Sequence, residues 1–510
     1  MKFDSEIKSL GFCETVYDST AEESVETEFN LPDYCPEIKR IVKCCLKTDI
    51  TSVQKSDGRV NVQANACVRV IYIGDNDKTS AYEQVIPIQK TADSDKISSG
   101  CIIDVKANTD YVNCRATSPR RVEIKAMITF VYKATCKREE TVLSSAVGSG
   151  IQSFNKEYVF TDLRALTQKA FNLTEVIELN STKPVIGRII NSSAYVLINS
   201  KKIINNKMLL KGDCFIKIFY LSENECNVEF TEHSIPVSQI IEVDGITEDC
   251  DTTVDVGITA CEASAKVDSS GETKLIDLNI RVSVKVFAFN NQNISLITDA
   301  YSTECDLKNN VKHLNVLSEN CSFDNVFTNK IVLESIGVSV EKIIAVWCED
   351  AKYGCALKNN SCAVNGNYQV NIIYRDSEKQ TGIIQKPVDF EYIIDLKKPA
   401  ESIVSYPSLQ ISACSCSMAG ESKLELKTEM NISGKILSSE IVKYISEIEL
   451  TEPKDETKEN CALTIYFSDE NEKVWDIAKK YKTTAEAIMQ ENELDSDLIE
   501  SRRILLIPSV

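Results

Sequence analysis

Apolar and polar residues alternate along GRVNVQANACVRVIYIG (58–74), NKMLLKGDCFIKIFYLS (206–222) and VNGNYQVNIIYRD (364–376), the period of two shown by half-buried β-strands. Each stretch ends on a tyrosine and a polar turn, and Tyr72, Tyr220 and Tyr374 align at intervals of 148 and 154 residues. Ile41, Ile189 and Ile343, about 31 residues upstream, repeat the same two intervals. A later strand pattern recurs as RRVEIKAMITFVYK (120–133), TKLIDLNIRVSVKVF (273–287) and SKLELKTEMNISGKI (422–436). Aligned on Val122, Leu275 and Leu424, its intervals are 153 and 149, so the second copy carries a loop insertion of five residues. The chain is therefore a threefold tandem repeat.

Turn clusters such as GDNDKTS, LSENEC, DSSGET and RDSEK separate the strand patterns within each copy. Successive strands with few strong helical patterns predict a mainly β fold, three tandem β-sandwich or barrel-like domains. The expected boundaries are 1–155, 156–304 and 305–448, and separate tandem units imply an elongated scaffold. The segment YVFTDLRALTQKAFNLTEVIEL (158–179) reads either as a helix with Leu163, Leu166 and Ala170 on one stripe or as strand and connector. Residues 449–460, ELTEPKDETKEN, are charged, contain Pro453 and read as a solvated acidic linker.

Beyond the linker, residues 461–510 change pattern. TIYF is a short strand; Val474, Ile477, Ala478 and Tyr481 recur at helical spacing; TTAEAIMQEN is a second helix with Thr483 or Thr484 at its N-cap; RILLIP closes as a strand. A small βααβ module follows, with Trp475 expected as its central packing residue.

Composition narrows the function. A formal charge of −19 with no compensating basic block argues against nucleic acid as a partner. No stretch predicts a transmembrane segment, and MKFDSEIKSL lacks the pattern of a signal peptide. Twenty cysteines in 510 residues fall below the density of a disulfide scaffold, and several, such as Cys67 and Cys214, stand in apolar strand patterns as small reduced core residues. Cys348, Cys355 and Cys362 are spaced by seven, and Cys414 and Cys416 share a strand face, but no Cys-x2-Cys knuckle accompanies them and no metal site is assigned. Oxidative cross-linking of these thiols is the other alternative to inert burial. With only His233 and His313 and no phosphate-binding glycine motif, no catalytic residue or cofactor is assigned, and the chain reads as non-enzymatic.

Residues 462–508 resemble the LysM module through Tyr466, WDIAKKY (475–481), Asn492, Leu498-Ile499 and ILLIP. The resemblance implies a groove for N-acetyl sugars of peptidoglycan between two loops. Its binding residues here are Ser468, Asp469, Glu470, Asn471, Glu472 and Lys473 on one loop, with Glu491, Asn492, Glu493, Leu494 and Leu498 on the other. The family's Gly-Asp-Thr is replaced by Asn471-Glu472-Lys473, which favours a protein over a glycan at this groove.

The segment NLPDYCPEIKRIVKCCLKT (30–48), the strand-tyrosine-turn repeats and the terminal module together resemble the SPOCS-LysM proteins of spore-forming Firmicutes, clostridia in particular. Lys183-Pro184 keeps part of the Leu31-to-Ile38 motif in the second copy; the third lacks it. The resemblance implies a scaffold in spore coat assembly. It would act in the mother-cell cytoplasm at the forespore surface and contact the coat base-layer ATPase protein. The alternative is a peptidoglycan-binding protein anchored at the spore cortex or cell wall.

Overall fold

The structure, a computed structural model, describes residues 3–148, 150–223, 228–334, 338–378, 380–420, 423–453 and 462–509. Parts of the LSENEC and RDSEK turns, residues 454–460 of the expected linker and residue 461 of the expected module lie outside them.

Among the described residues, eighteen long strands form three sets of six. The first set is β1 (Asp4–Asn30), β2 (Ile38–Ser56), β3 (Arg59–Gly74), β4 (Thr79–Asp93), β5 (Ile102–Ser118) and β6 (Arg121–Val147). The second is β7 (Ile151–Glu178), β8 (Ile186–Ile204), β9 (Lys207–Ser222), β10 (Val228–Glu242), β11 (Asp251–Lys266) and β12 (Leu275–Ser302). The third is β13 (Cys305–Leu333), β14 (Val340–Lys358), β15 (Ser361–Asp376), β16 (Thr381–Asp395), β17 (Ile403–Gly420) and β18 (Lys423–Pro453). Each set makes two antiparallel three-stranded sheets, β2-β3-β4 and β1-β6-β5 in the first, with the same order in the others. Burial along β3 alternates as the sequence does, so Val60, Val62, Ala64, Ala66, Val68, Val70 and Tyr72 all point into the core between the sheets. The fold is mainly β, as expected, and ends in β19 (Leu463–Ser468), α1 (Val474–Tyr481), α2 (Ala485–Glu491) and β20 (Arg503–Pro508).

The repeat anchors have structural reasons. Tyr72 is buried and its hydroxyl donates to the Pro36 carbonyl at 3.1 Å; Tyr220 donates to the Pro184 carbonyl at 3.2 Å. The Leu-Pro-Asp-Tyr-Cys-Pro segment is thus a latch between β1 and β2. Ile41, Ile189 and Ile343 each precede a β-bulge: the register jumps from Ile41/Tyr72 to Lys43/Ile71, leaving Val42 unpaired, and does the same at Ile190 and Ile344. Such an extra residue bends its strand and re-aims a side chain. Val42, Ile190 and Ile344 are re-aimed into one apolar cluster shared by all three sets, where they meet Ile71, Phe219 and Ile373.

A second shared cluster joins Leu10, Ile102 and Val142 to Phe160, Leu163, Phe287 and Phe289, and these to Leu314, Val316, Leu437 and Tyr444. Polar contacts repeat the arrangement. Arg188 of the second set donates to the Ala81 carbonyl of the first, and Arg40, its counterpart in the first set, donates to Gln380 of the third at 3.3 Å. The three sets therefore pack around a common centre with approximate threefold repetition. This corrects the elongated arrangement expected from tandem units, because the residues that join the sets lie on outward strand faces that alternation alone assigns to solvent.

Two further expectations change. Of the two readings of 158–179 the strand holds, over 158–178: β7 pairs with β12 along its whole length, with Leu163 buried, Leu166 half-buried and Ala170 exposed, so no helical stripe exists. In the later repeat the buried Ile276, not the half-exposed Leu275, matches Val122 and Leu424. With Ile276 as the anchor the insertion is six residues rather than five, and it lies in the turn between β11 and β12, residues 267–274, where the first set needs only Pro119 and Arg120. At the expected linker, β18 continues to Pro453, with Glu449 opposite Lys308.

Candidate functional site

The terminal module is held together by a short strand pair and two short helices. Tyr466, Leu505 and Ile507 face inward onto Val474, Ile477, Ala478 and Ile488. Thr484 caps α2, its hydroxyl accepting from the Ala487 amide at 3.1 Å. Lys482 takes a left-handed conformation (φ 54°) to end α1.

The two loops assigned to the groove do come together. The Asn471 amide donates to the Ile499 carbonyl at 2.8 Å, Ile499 returns a bond to the Glu472 carbonyl at 3.0 Å, and Lys473 bridges to Leu498. Asn471 sits at φ 65°, the conformation glycine adopts freely and asparagine tolerates, so the turn survives the loss of glycine. Glu472 turns inward: its carboxylate accepts from the Tyr466 hydroxyl at 2.5 Å and from the Asp469 amide at 3.1 Å. That carboxylate bond, with some burial, pushes the Tyr466 phenol up to about 12. Lys473 stands at the N-cap of α1 with no side-chain cap bond.

Several assigned residues hold the module rather than face a ligand. The Asn492 amide donates to the Ile488 and Leu506 carbonyls at 2.8 and 2.7 Å and accepts from the Leu506 amide at 2.7 Å. Ser468 is buried and its hydroxyl donates to the Arg503 carbonyl at 3.1 Å, while Leu494 packs against the module core. Asp469, Glu470, Asn471, Lys473, Glu491, Glu493 and Leu498 are exposed around the groove, and Asp469 is paired with Arg502 at 3.1 Å.

The sequence reading missed two surfaces. On the face of the strand pair away from the helices, Leu463, Ile465, Phe467 and Ile504 are 47, 62, 74 and 58% exposed, and the β19/β20 register sets Phe467 opposite Ile504. Consecutive apolar residues in RILLIP carry the signal, since a strand that is apolar in both phases has two apolar faces. The other surface is the α1 face, and it corrects the role given to Trp475. Its ring packs outside the module, 5.3 Å from Phe154 and 5.0 Å from Tyr301, and its indole N–H donates to Asp299 at 2.8 Å. Lys479 binds the same carboxylate at 2.5 and 2.8 Å, Lys482 pairs with Asp306, and the Tyr301 hydroxyl donates to the Thr483 carbonyl at 2.8 Å. The module is thereby docked, through α1 and the turn that follows it, against the end of the second set and the first residues of β13.

Elsewhere, His233 lies on edge strand β10, half-buried and 2.8 Å from the Thr231 hydroxyl; burial lowers its pKa. Among the described residues no group of three or more His, Cys, Asp or Glu side chains has the geometry of a metal site, and the third-set cysteines meet in pairs, Cys348 with Cys414 and Cys355 with Cys362. The Cys101 and Cys136 sulfurs are bonded to each other. Among the described residues no helix is long and apolar enough to cross a membrane.

Residues 37–117 and 185–266 match the family model described as SipL, SPOCS domain, and residues 470–508 match the LysM domain. The first two matches span β2 to β5 and β8 to β11, the same four strands of two consecutive sets. No curated protein and no solved structure matches the chain. The chain thus carries tandem SPOCS-type units and a LysM-type module, both of them binding modules rather than catalytic ones.

Proposed function

We propose that this protein is a non-enzymatic scaffold of spore coat assembly, whose LysM-type module holds a coat morphogenetic protein, the base-layer ATPase, at the forespore surface in the mother-cell cytoplasm. The observation that carries this reading is the apolar outer face of the module, Leu463, Ile465, Phe467 and Ile504. A contiguous exposed apolar face suits a protein surface better than a sugar, whose recognition needs convergent polar groups. In the groove, the carboxylate of Glu472 is already committed to Tyr466 and Asp469. With α1 docked on the second set, the outer face and the groove loops are what the module offers outward.

The second reading, anchorage on peptidoglycan, is favoured by one observation: the two groove loops lie side by side through the Lys473/Leu498 bridge. A paired assay separates the two. The full chain is mixed with purified base-layer ATPase and, separately, with sedimented peptidoglycan, beside the chain lacking residues 461–510 and an Ile465→Asp/Phe467→Asp variant. Protein capture lost in both altered forms, with no sedimentation, supports the scaffold. Sedimentation that both the wild type and the double variant show, without capture, transfers the function to the glycan groove.

A further inference from the structure

The two sheets of each strand set meet along a seam between β2 and β5, β8 and β11, or β14 and β17. In the first set Cys44 on β2 and Cys114 on β5 meet across this seam in one core cluster, beside the 3.1 Å bond from the Thr109 hydroxyl to the Leu46 carbonyl, and each thiol perturbs the other. In the third set Cys348 on β14 and Cys414 on β17 likewise perturb each other. The pairs do not descend from one aligned position. Cys44 stands opposite Val70, two residues before Tyr72, whereas Cys348 stands opposite Val370, four residues before Tyr374. Cys114 stands opposite Ile124, two residues after Val122, whereas Cys414 stands opposite Thr428, four residues after Leu424. Cys348 stands two residues beyond the position of Cys44, and it meets Cys414 rather than Cys416, which stands opposite Leu426 and holds the aligned position of Cys114.

The chemistry of each pair is asymmetric. A hydrogen bond from its neighbour outweighs burial and lowers the thiol pKa of Cys114 and of Cys414, while Cys44 and Cys348 are raised and keep their protons. Cys114 and Cys414 are only half-buried, so a small oxidant reaches the more acidic sulfur. We propose that Cys44/Cys114 and Cys348/Cys414 are oxidation sites that close into disulfides across the seams, fastening sheet to sheet in the first and third sets. With hydrogen peroxide as oxidant, the Cys114 thiolate attacks one oxygen, the O–O bond breaks and hydroxide leaves, giving a sulfenic acid. The Cys44 sulfur then displaces the sulfenic hydroxyl, which departs with the thiol proton as water as the S–S bond forms. Two thiols lose two hydrogens and the peroxide becomes two waters.

A third pair, Cys355/Cys362, is an internal comparison. It lies within the β14/β15 hairpin and spans seven residues, whereas the seam pairs span 70 and 66. Closing a long loop removes more freedom from the unfolded chain, so only the seam bonds should stabilise the fold appreciably.

The test uses the full chain, reduced, then exposed to peroxide, alkylated with N-ethylmaleimide and digested without reductant. Peptides joined through Cys44–Cys114 and Cys348–Cys414, each two hydrogens lighter than the sum of its parts, are expected by mass spectrometry and should disappear with dithiothreitol. The oxidised chain should melt several degrees above the reduced one, and a C114S/C414S variant should lose most of that gain, keeping only the share of the Cys101–Cys136 bond. Recovery of these four cysteines as maleimide adducts, or bonds from them to other cysteines, overturns the proposal. The peptide map on the wild-type chain decides it even if the variant folds poorly.

Discussion

Lys435 shows how much of this molecule rests on single side chains that strand alternation places wrongly. In NISGKIL it occupies the phase opposite Ile432 and Ile436, the phase that alternation gives to solvent. Packing of the second set against the third covers that face, and Lys435 is 2% exposed at its side chain, bound to Asp251 of β11 at 2.6 Å and Glu319 of β13 at 2.9 Å. A buried cation is tolerable only with such partners. Burial alone would raise both carboxyls, but the hydrogen bond and charge of Lys435 outweigh it and lower both pKa values. The folded-state values thus lie below the unfolded ones, so the stabilisation is complete above the unfolded carboxylate range and is lost as pH falls through the folded values. Lys435→Met should cost about 2 to 3 kcal/mol at neutral pH, at the lower end for a broken buried pair because both carboxylates keep some water. Urea unfolding from pH 7 down to pH 3 checks it: the gap between wild type and variant should narrow with acid, and a constant gap would assign the loss to packing alone.

At the scale of elements, the βααβ module was legible because its signals are local: an N-cap at Thr484, apolar residues at helical spacing and closing Pro508. The segment 158–179 was not legible, since Leu163, Leu166 and Ala170 mimic a helical stripe while long-range pairing with β12 decides the conformation. Nor did spacing reveal the docking of α1, which joins residues far apart in sequence. The two loops assigned to the groove lie side by side, and within them Asn492 and Ser468 are supports, because a side chain's partner is set by the fold rather than by its position in a motif. Asp299 is the centre of the α1 contact, accepting from both Trp475 and Lys479. Asp299→Ala should therefore loosen the module by about 1 to 2 kcal/mol, the worth of a few partly exposed charge-assisted bonds. Trp475 emission should shift to the red and α1 amides should exchange faster. The buried Trp347 offers a reference within the same chain, and unchanged Trp475 emission would mean that the ring stack on Phe154 and Tyr301 carries the docking without Asp299.

For the whole molecule, the sequence repeat foretold three similar units but not their mutual packing, because the bulges after Ile41, Ile189 and Ile343 leave no mark in an alternating pattern. Those bulges turn one residue per unit toward the centre, and the units then share Ile71, Phe219 and Ile373 in one cluster and Phe160, Phe287, Phe289 and Tyr444 in another. A second unit cut out as residues 151–302 would return Phe160, Phe219, Phe287 and Phe289 to water, at about 1.5 to 3 kcal/mol for each fully buried side chain so exposed. It should therefore aggregate or lose cooperativity, unlike a bead in a string. The full chain should show one calorimetric transition for its eighteen long strands, and Phe219→Asp should lower the whole of that transition rather than detach one part. Three separable transitions, with only one moved by Phe219→Asp, would mean that the shared clusters do not couple the units. A coupled body also bears on the proposed scaffold role: with α1 seated on the second set, a partner bound at the module's outer face is held at a fixed position on a rigid base rather than on a flexible arm.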